Sequence, residues 1–121
     1  MTSYVSWTPG TGDVIWVRAT PPSASVSERA QHRSAVVLSP ASFSARTKLA
    51  ILCPVAPEVT GYPFEVTLPP GFPVSGAILA DRVASLDVRR HPVRLLATLP
   101  DDVVEAVRQR LLPLIAPPPG P

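Results

Sequence analysis

Seventeen prolines are spread through this chain of 121 residues, and they rule out long uninterrupted elements. Each proline fixes its own φ and has no N–H to give to a helix or a sheet ladder, so it ends helices and keeps to strand edges and bulges. Apolar side chains nonetheless make up 45% of the residues against 17% charged, enough to build a folded core. Short strands joined by irregular loops are therefore expected. At this length one core can be buried and a second lobe cannot, so residues 1–116 read as a single domain and the proline-rich 117–121 as a disordered tail. No internal repeat is visible.

The apolar runs set the order of elements. "GDVIWV" opens with Gly12 and Asp13 and continues as a β-branched and aromatic run from Val14 to Val17, a first strand. Residues 18–31, "RATPPSASVSERAQ", form a long surface loop of the kind that often carries function. "SAVVLSP" is a second strand that Pro40 must stop, "ASFSARTK" a short helical or turn connection, and "LAILCPV" a third strand too apolar to face water. In "TGYPFEVTLP" a turn leads to alternation, with Phe64, Val66 and Leu68 on one face and Glu65 and Thr67 on the other. "PPGFPVSG" is another loop, and "AILADRVASLDVRR" gives two short strands or one bent strand. The period changes only at "LPDDVVEAVRQRLLPLI", where Val103, Val104, Val107, Leu111 and Leu114 recur every three or four residues. This predicts an amphipathic helix with Asp101 as N-cap and an end or kink at Pro113. Five or six short strands closed by a terminal helix imply a mainly β (α+β) fold, a small, strongly bent sheet or barrel.

The net charge is +2 and its basic side is nearly all arginine, which suits a phosphate-rich partner. The densest positive run, Arg89, Arg90 and Arg94 around His91, reads as a solvated surface with His91 exposed. The single cysteine, Cys53, lies inside an apolar strand. It is read as a buried inert thiol, and with two scattered histidines it makes no metal-ligand spacing. No apolar run approaches the roughly 20 residues needed to span a bilayer, and no charged-then-apolar leader is present. A soluble, cytoplasmic protein is expected.

Taken together, "GDVIWV", "SERAQHRSAVVLSP", "GYPFEV" and "AILADRVASLD" resemble, in order and spacing, the MazF, PemK and Kid family of toxin endoribonucleases. The resemblance runs from Gly12 to Ile115. It implies a small SH3-like barrel that pairs as a homodimer and cleaves single-stranded RNA, the mRNA included, at short motifs with no metal or other cofactor. It also implies neutralisation by a cognate MazE-like antitoxin whose acidic segment folds over the RNA groove.

Residue by residue, the resemblance makes Arg33 the catalytic arginine, whose planar guanidinium can hold two phosphate oxygens as charge builds on them. Glu28 matches the acidic loop residue near the scissile phosphate. It could orient Arg33 or accept the 2′-hydroxyl proton if burial raised its pKa, and the competing reading is a solvated loop carboxylate. His32 has a suitable intrinsic pKa, yet on a strand it points away from the face of Arg33, so a structural or substrate-contact role is favoured. Base and phosphate contacts are expected from Arg29, Ser34, Thr60, Tyr62, Arg46, Lys48 and Arg82, since RNA readers splay bases onto aromatic and guanidinium planes. Trp16 and Phe64 could add stacking platforms, but their strand positions make core packing the first reading.

Three positions depart from the family pattern: Ser34 follows Arg33 where proline is common, Gln31 stands where glycine is frequent, and the third removes a hydroxyl. The serine or threonine that usually bonds the phosphate beside the arginine is Ala56 here. Ser34, Thr60 or Ser39 could supply the missing hydroxyl, the activity could be weaker, or the chain could bind RNA or antitoxin without cutting. A gyrase poison of the CcdB type, which shares the barrel, is a further alternative.

Overall fold

A computed structural model describes residues 7–18 and 32–116, the side chain of His32 excepted. Glu28, Arg29, the rest of the 19–31 segment and the tail 117–121 lie outside the described residues. Within them the order is β1 (Asp13–Arg18), β2 (His32–Val37), α1 (Ala41–Thr47), β3 (Leu49–Ala56), β4 (Glu65–Thr67), β5 (Ala77–Leu79), β6 (Ala84–Asp87), β7 (Val93–Thr98) and α2 (Asp101–Ile115). The mainly β fold with a C-terminal helix is as expected from the sequence. The strand β7 was not expected: "VRLLAT" alternates imperfectly, and its arginine and exposed leucine mask a strand that lies at the sheet edge beside β1.

All strand pairs are antiparallel, in the order β4-β5-β3-β2-β1-β7, with β6 also paired to β3. The eight-residue β3 is shared: its first half pairs with β6, its middle with β2, and Val55 and Ala56 with β5. It therefore bends from one part of the sheet into the other, which gives the molecule its barrel-like curvature.

Successive strand residues face opposite ways, and here both faces are covered. Val14, Val36 and Cys53 point into one core with Val66, Leu68, Ile78 and Ala80, roofed by Val104 and Val107 of α2. Their neighbours Ile15, Ala35, Val37 and Leu52 point the other way, into a smaller core with Ala50 and Val93, covered by Trp7 and Val88. Double burial explains why β1 to β3 read as continuous apolar runs rather than as clean alternation. Trp16 belongs to neither cluster. Its half-buried ring instead carries the Arg94 guanidinium 5.6 Å from its centroid, so the core reading of this residue is replaced by a cation–π pair at the sheet edge.

Helix α2 begins differently from the sequence reading. Pro100 occupies the N-cap with extended φ and ψ and no side-chain cap, and Asp101 and Asp102 lie in the first turn, where their charge complements the helix dipole. The helix runs past Pro113 to Ile115 and stops at Ala116, which is extended as expected for the residue before a proline. Val104 and Val107 are its buried anchors, whereas Leu112, Leu114 and Ile115 stay exposed.

Cys53 is fully buried and its thiol touches the carbonyl of Ala80 at 3.8 Å. Burial, with the nearby Asp81 charge, pushes its pKa up to about 11. Since the thiolate is the reactive form, the native protein should show no fast reaction with an aromatic disulfide reagent at pH 8, and one equivalent of thiol should appear once denaturant is added.

Candidate active site

β2 runs from the undescribed segment toward α1, and Arg33 is its second residue, exposed and paired with Val17. The β2–β3 register passes through Val37↔Leu52 and Ala35↔Pro54. The pairing ends at Ala35↔Pro54, and Arg33 and Ala56 each lie two residues beyond it, at the same end of the β2–β3 pair, the corner of the sheet where β3 pairs with β5.

A cleft of about 300 Å³ opens at this corner, walled by Ala56, Glu58, Thr60, Tyr62, Glu65, Leu79 and Arg82. Three of the expected contact residues, Thr60, Tyr62 and Arg82, are thus brought together with the departing position Ala56. All three are exposed, and the Tyr62 and Phe64 rings pack at 5.8 Å with planes tilted by 55°.

Two carboxylates fasten the cleft wall. Glu65 is 9% exposed and turns back toward the preceding loop. It accepts the Thr60 hydroxyl at 2.8 Å, the Thr60 N–H at 3.1 and 3.2 Å and the Gly61 N–H at 3.0 Å. The Thr60 hydroxyl bond above all, with the backbone N–H groups behind it, holds the Glu65 carboxyl below its ordinary range. Asp81 accepts the Tyr62 hydroxyl through Oδ2, and that bond raises the phenol pKa. Neither carboxylate was singled out from the sequence. The alternation read from the sequence set Glu65 on the polar face with Thr67, which its burial against the 60–61 turn corrects, and nothing short-range joins Tyr62 to Asp81 nineteen residues away.

The hydroxyls considered as replacements at Ala56 are differently disposed. Thr60 gives its proton to Glu65. Ser39 is buried beyond the far end of β2, where its Oγ accepts the Ile51 N–H at 2.9 Å. Ser34 pairs with Trp16 and by strand alternation faces away from Arg33. Arg46 and Lys48 are not brought to this corner either: they sit on and just after α1, at the opposite end of β2. Lys48 serves there as a left-handed C-cap with φ 63° and reaches the Ala45 carbonyl with Nζ at 2.9 Å. The arginine-rich turn is partly neutralised, with Arg89 and Arg90 at 3.5 and 3.8 Å from Asp87, and His91 within it is half-buried rather than exposed.

Comparison with known proteins bears directly on this arrangement. The sequence profile of the PemK-like, MazF-like toxins of type II toxin–antitoxin systems matches residues 11–115. The endoribonuclease toxin MazF of Escherichia coli K12 is 35% identical over 109 residues, covering 90% of this chain and 96% of that protein. The crystal structure of MazF from Deinococcus radiodurans superposes with a TM-score of 0.78 at 41% identity, over 90% of this chain and 97% of the other. A MazE–MazF structure from the same organism gives 0.79 at 39% identity, over 91% and 97%. A mycobacterial endoribonuclease solved with its cognate antitoxin shares the fold alone, with a TM-score of 0.72 at 16% identity.

Proposed function

The chain belongs to the PemK-like, MazF-like toxins of type II toxin–antitoxin systems and is an endoribonuclease of that family, and on this premise we propose that it cuts single-stranded RNA at a short motif by metal-independent transesterification. The ribose 2′-hydroxyl gives up its proton and attacks the adjacent phosphorus, the bond from phosphorus to the 5′-oxygen breaks, that oxygen takes a proton from solvent, and the products are a 2′,3′-cyclic phosphate and a 5′-hydroxyl. No protein nucleophile is required. Arg33 holds two phosphate oxygens as negative charge accumulates on them, so its work is electrostatic first and proton donation second. Glu28 orients Arg33 or takes the 2′-hydroxyl proton. Arg29 contacts the RNA near the cut, Thr60, Tyr62 and Arg82 line the neighbouring base site, and His32 and Ser34, set by strand alternation on the other face of β2 from Arg33, touch the RNA only away from the cut. Arg46 and Lys48, at the other end of β2, have no part in this reading.

The observation that carries the proposal is that the β2–β3 pairing brings Arg33 and Ala56 to the same end of the sheet, where Ala56 walls a cleft with Thr60, Tyr62 and Arg82. The test is incubation of the pure protein with a long mixed-sequence RNA in excess EDTA, followed by mapping of the cut ends. Cuts at one short motif with 5′-hydroxyl ends support it. Absence of any cut would overturn it in favour of an RNA- or antitoxin-binding module.

The same geometry yields a gain-of-function expectation. Since Ala56 lacks the family hydroxyl, Ala56→Thr should speed cleavage about tenfold or more, the worth of one added hydrogen bond to a charged group. The change should appear in kcat rather than KM, as read from single-turnover cleavage.

For partners, the reading carries a MazE-like antitoxin, whose acidic segment would lie over the RNA site beside Arg33 and Arg82, and a homodimer. The support for the homodimer is the exposed apolar surface of Leu95, Leu112, Leu114 and Ile115 on β7 and α2. Action on mRNA places the protein in the cytoplasm, and among the described residues no helix is long and apolar enough to cross a membrane.

A further inference from the structure

We propose that Glu65 is a positioning residue for RNA recognition: its buried carboxylate holds the 57–64 loop in the shape that presents Tyr62 and Arg82 to the substrate. This role rests on the RNA-cleaving reading above and assigns a function within it to a side chain that touches no substrate.

The loop from Pro57 to Pro63 is exposed at every residue and contains no strand or helix. Ordering such a segment costs backbone entropy at every residue, so something must oppose its fraying. The apolar core does not supply it, because Val59 and Tyr62 remain 53% and 43% exposed. What holds the loop is polar. Glu65 gathers the N–H and hydroxyl of Thr60 and the N–H of Gly61, and its own N–H closes the turn on the Tyr62 carbonyl at 3.0 Å. Gly61, with φ at +84° and nothing within 4 Å of where a Cβ would stand, lets the chain reverse without a steric penalty.

The placement of the carboxylate explains why the clasp is tied to recognition rather than to the stability of the whole fold. Glu65 begins β4, which pairs with β5 at Leu79, and both Glu65 and Leu79 wall the cleft. Two residues beyond Leu79, Asp81 takes the Tyr62 hydroxyl, and Arg82 follows it. The loop is therefore clasped at its base by Glu65 and at its aromatic tip by Asp81. With the tip hydroxyl engaged, Tyr62 is left to offer its ring face, the sequence-tolerant way to hold a base. Releasing the base clasp would let Thr60 and Gly61 move, swing the Tyr62 ring and widen the gap to Arg82.

The experiment compares wild type, Glu65→Gln, Thr60→Val and the double variant. It uses an RNA containing a mapped cut site, and the same oligonucleotide with a 2′-deoxy sugar at the scissile position, which binds but cannot react. Glu65→Gln keeps the size and one acceptor but loses the charge and points donors at donors. It should raise KM and the Kd for the deoxy probe about tenfold, the usual worth of a charge-assisted bond, with kcat changed less than twofold. Thr60→Val loses one exposed hydroxyl and leaves the carboxylate its two N–H partners, so it folds even if the first variant does not; it should raise KM about threefold. Because both act through one clasp, the double variant should bind no worse than Glu65→Gln alone. Additive effects, a loss confined to kcat, or unchanged probe binding in both single variants would overturn the positioning role while leaving the nuclease reading intact. A wild-type protein that neither cuts the RNA nor binds the probe would overturn the nuclease reading itself, and the role with it.

Discussion

Arg33→Ala is expected to slow RNA cleavage about 10²- to 10³-fold, the range seen when one preorganised donor is removed from a site where charge develops. The reasoning starts from exposure. Arg33 stands on the solvent-facing end of β2, paired through its backbone with Val17, so truncating it leaves both cores and the β1–β2 ladder in place. Circular dichroism and melting temperature should match those of the wild type. The loss should sit in kcat, because the phosphate carries more charge on its oxygens in the transition state than in the bound substrate. Arg33→Lys should recover only part of it, since an ammonium keeps the charge and lacks the planar fork that engages two oxygens at once. Single-turnover kinetics on an RNA with one mapped site give both numbers. A variant that cuts within threefold of the wild type would remove Arg33 from the chemistry.

The second large effect is on folding. Gly76→Ala should cost about 3–5 kcal/mol and lower the melting temperature by about 10–20 °C. Gly76 has φ at +124°, and a Cβ there would stand 2.0 Å from the Ala56 carbonyl oxygen, 3.1 Å from its carbon and 3.2 Å from the Pro57 Cα. All three are backbone atoms, so no rotamer change relieves the clash. The end of β3 would have to shift, and with it the Leu68 N–H bond to the Gly76 carbonyl at 3.0 Å. Gly71 is the control: its φ of +76° also favours glycine, yet nothing lies within 4 Å of its Cβ site. Gly71→Ala should cost only about 1 kcal/mol, from backbone strain alone. Thermal melts of the two variants side by side distinguish close packing from conformation, and equal losses would refute the packing argument.

Several elements were legible in the sequence because local pattern and tertiary role agree. "GDVIWV" and "SAVVLSP" are strands by composition and strands in the fold, and the 3.6-residue period of α2 marks Val104 and Val107 as its buried anchors. What was hidden depends on long-range geometry. The strand β7 carries too many exposed residues to announce itself, and it forms because β1 offers an unpaired edge. Trp16 reads as core by its neighbours and is taken out of both cores by Arg94. At the site, Arg33 and Ala56 were identifiable as matching and departing positions, but only the β2–β3 pairing brings the start of β2 and the end of β3 to the same end of the sheet. Glu65 was the least visible, because alternation put it on the polar face with Thr67 and only the fold buries it against the Thr60 and Gly61 donors.

The two-sided burial of the central strands divides the molecule into parts of unequal persistence. Opening β1, β2 or β3 empties both cores at once and amounts to global unfolding, whereas β4, three residues long and at one end of the sheet, can detach at the expense of one ladder and a few side chains. The wall of the cleft thus rests on the least cooperative piece of the fold. Heat or mild denaturant should take away substrate recognition while the central strands are still native, so that the loss of function marks local melting well before the chain unfolds.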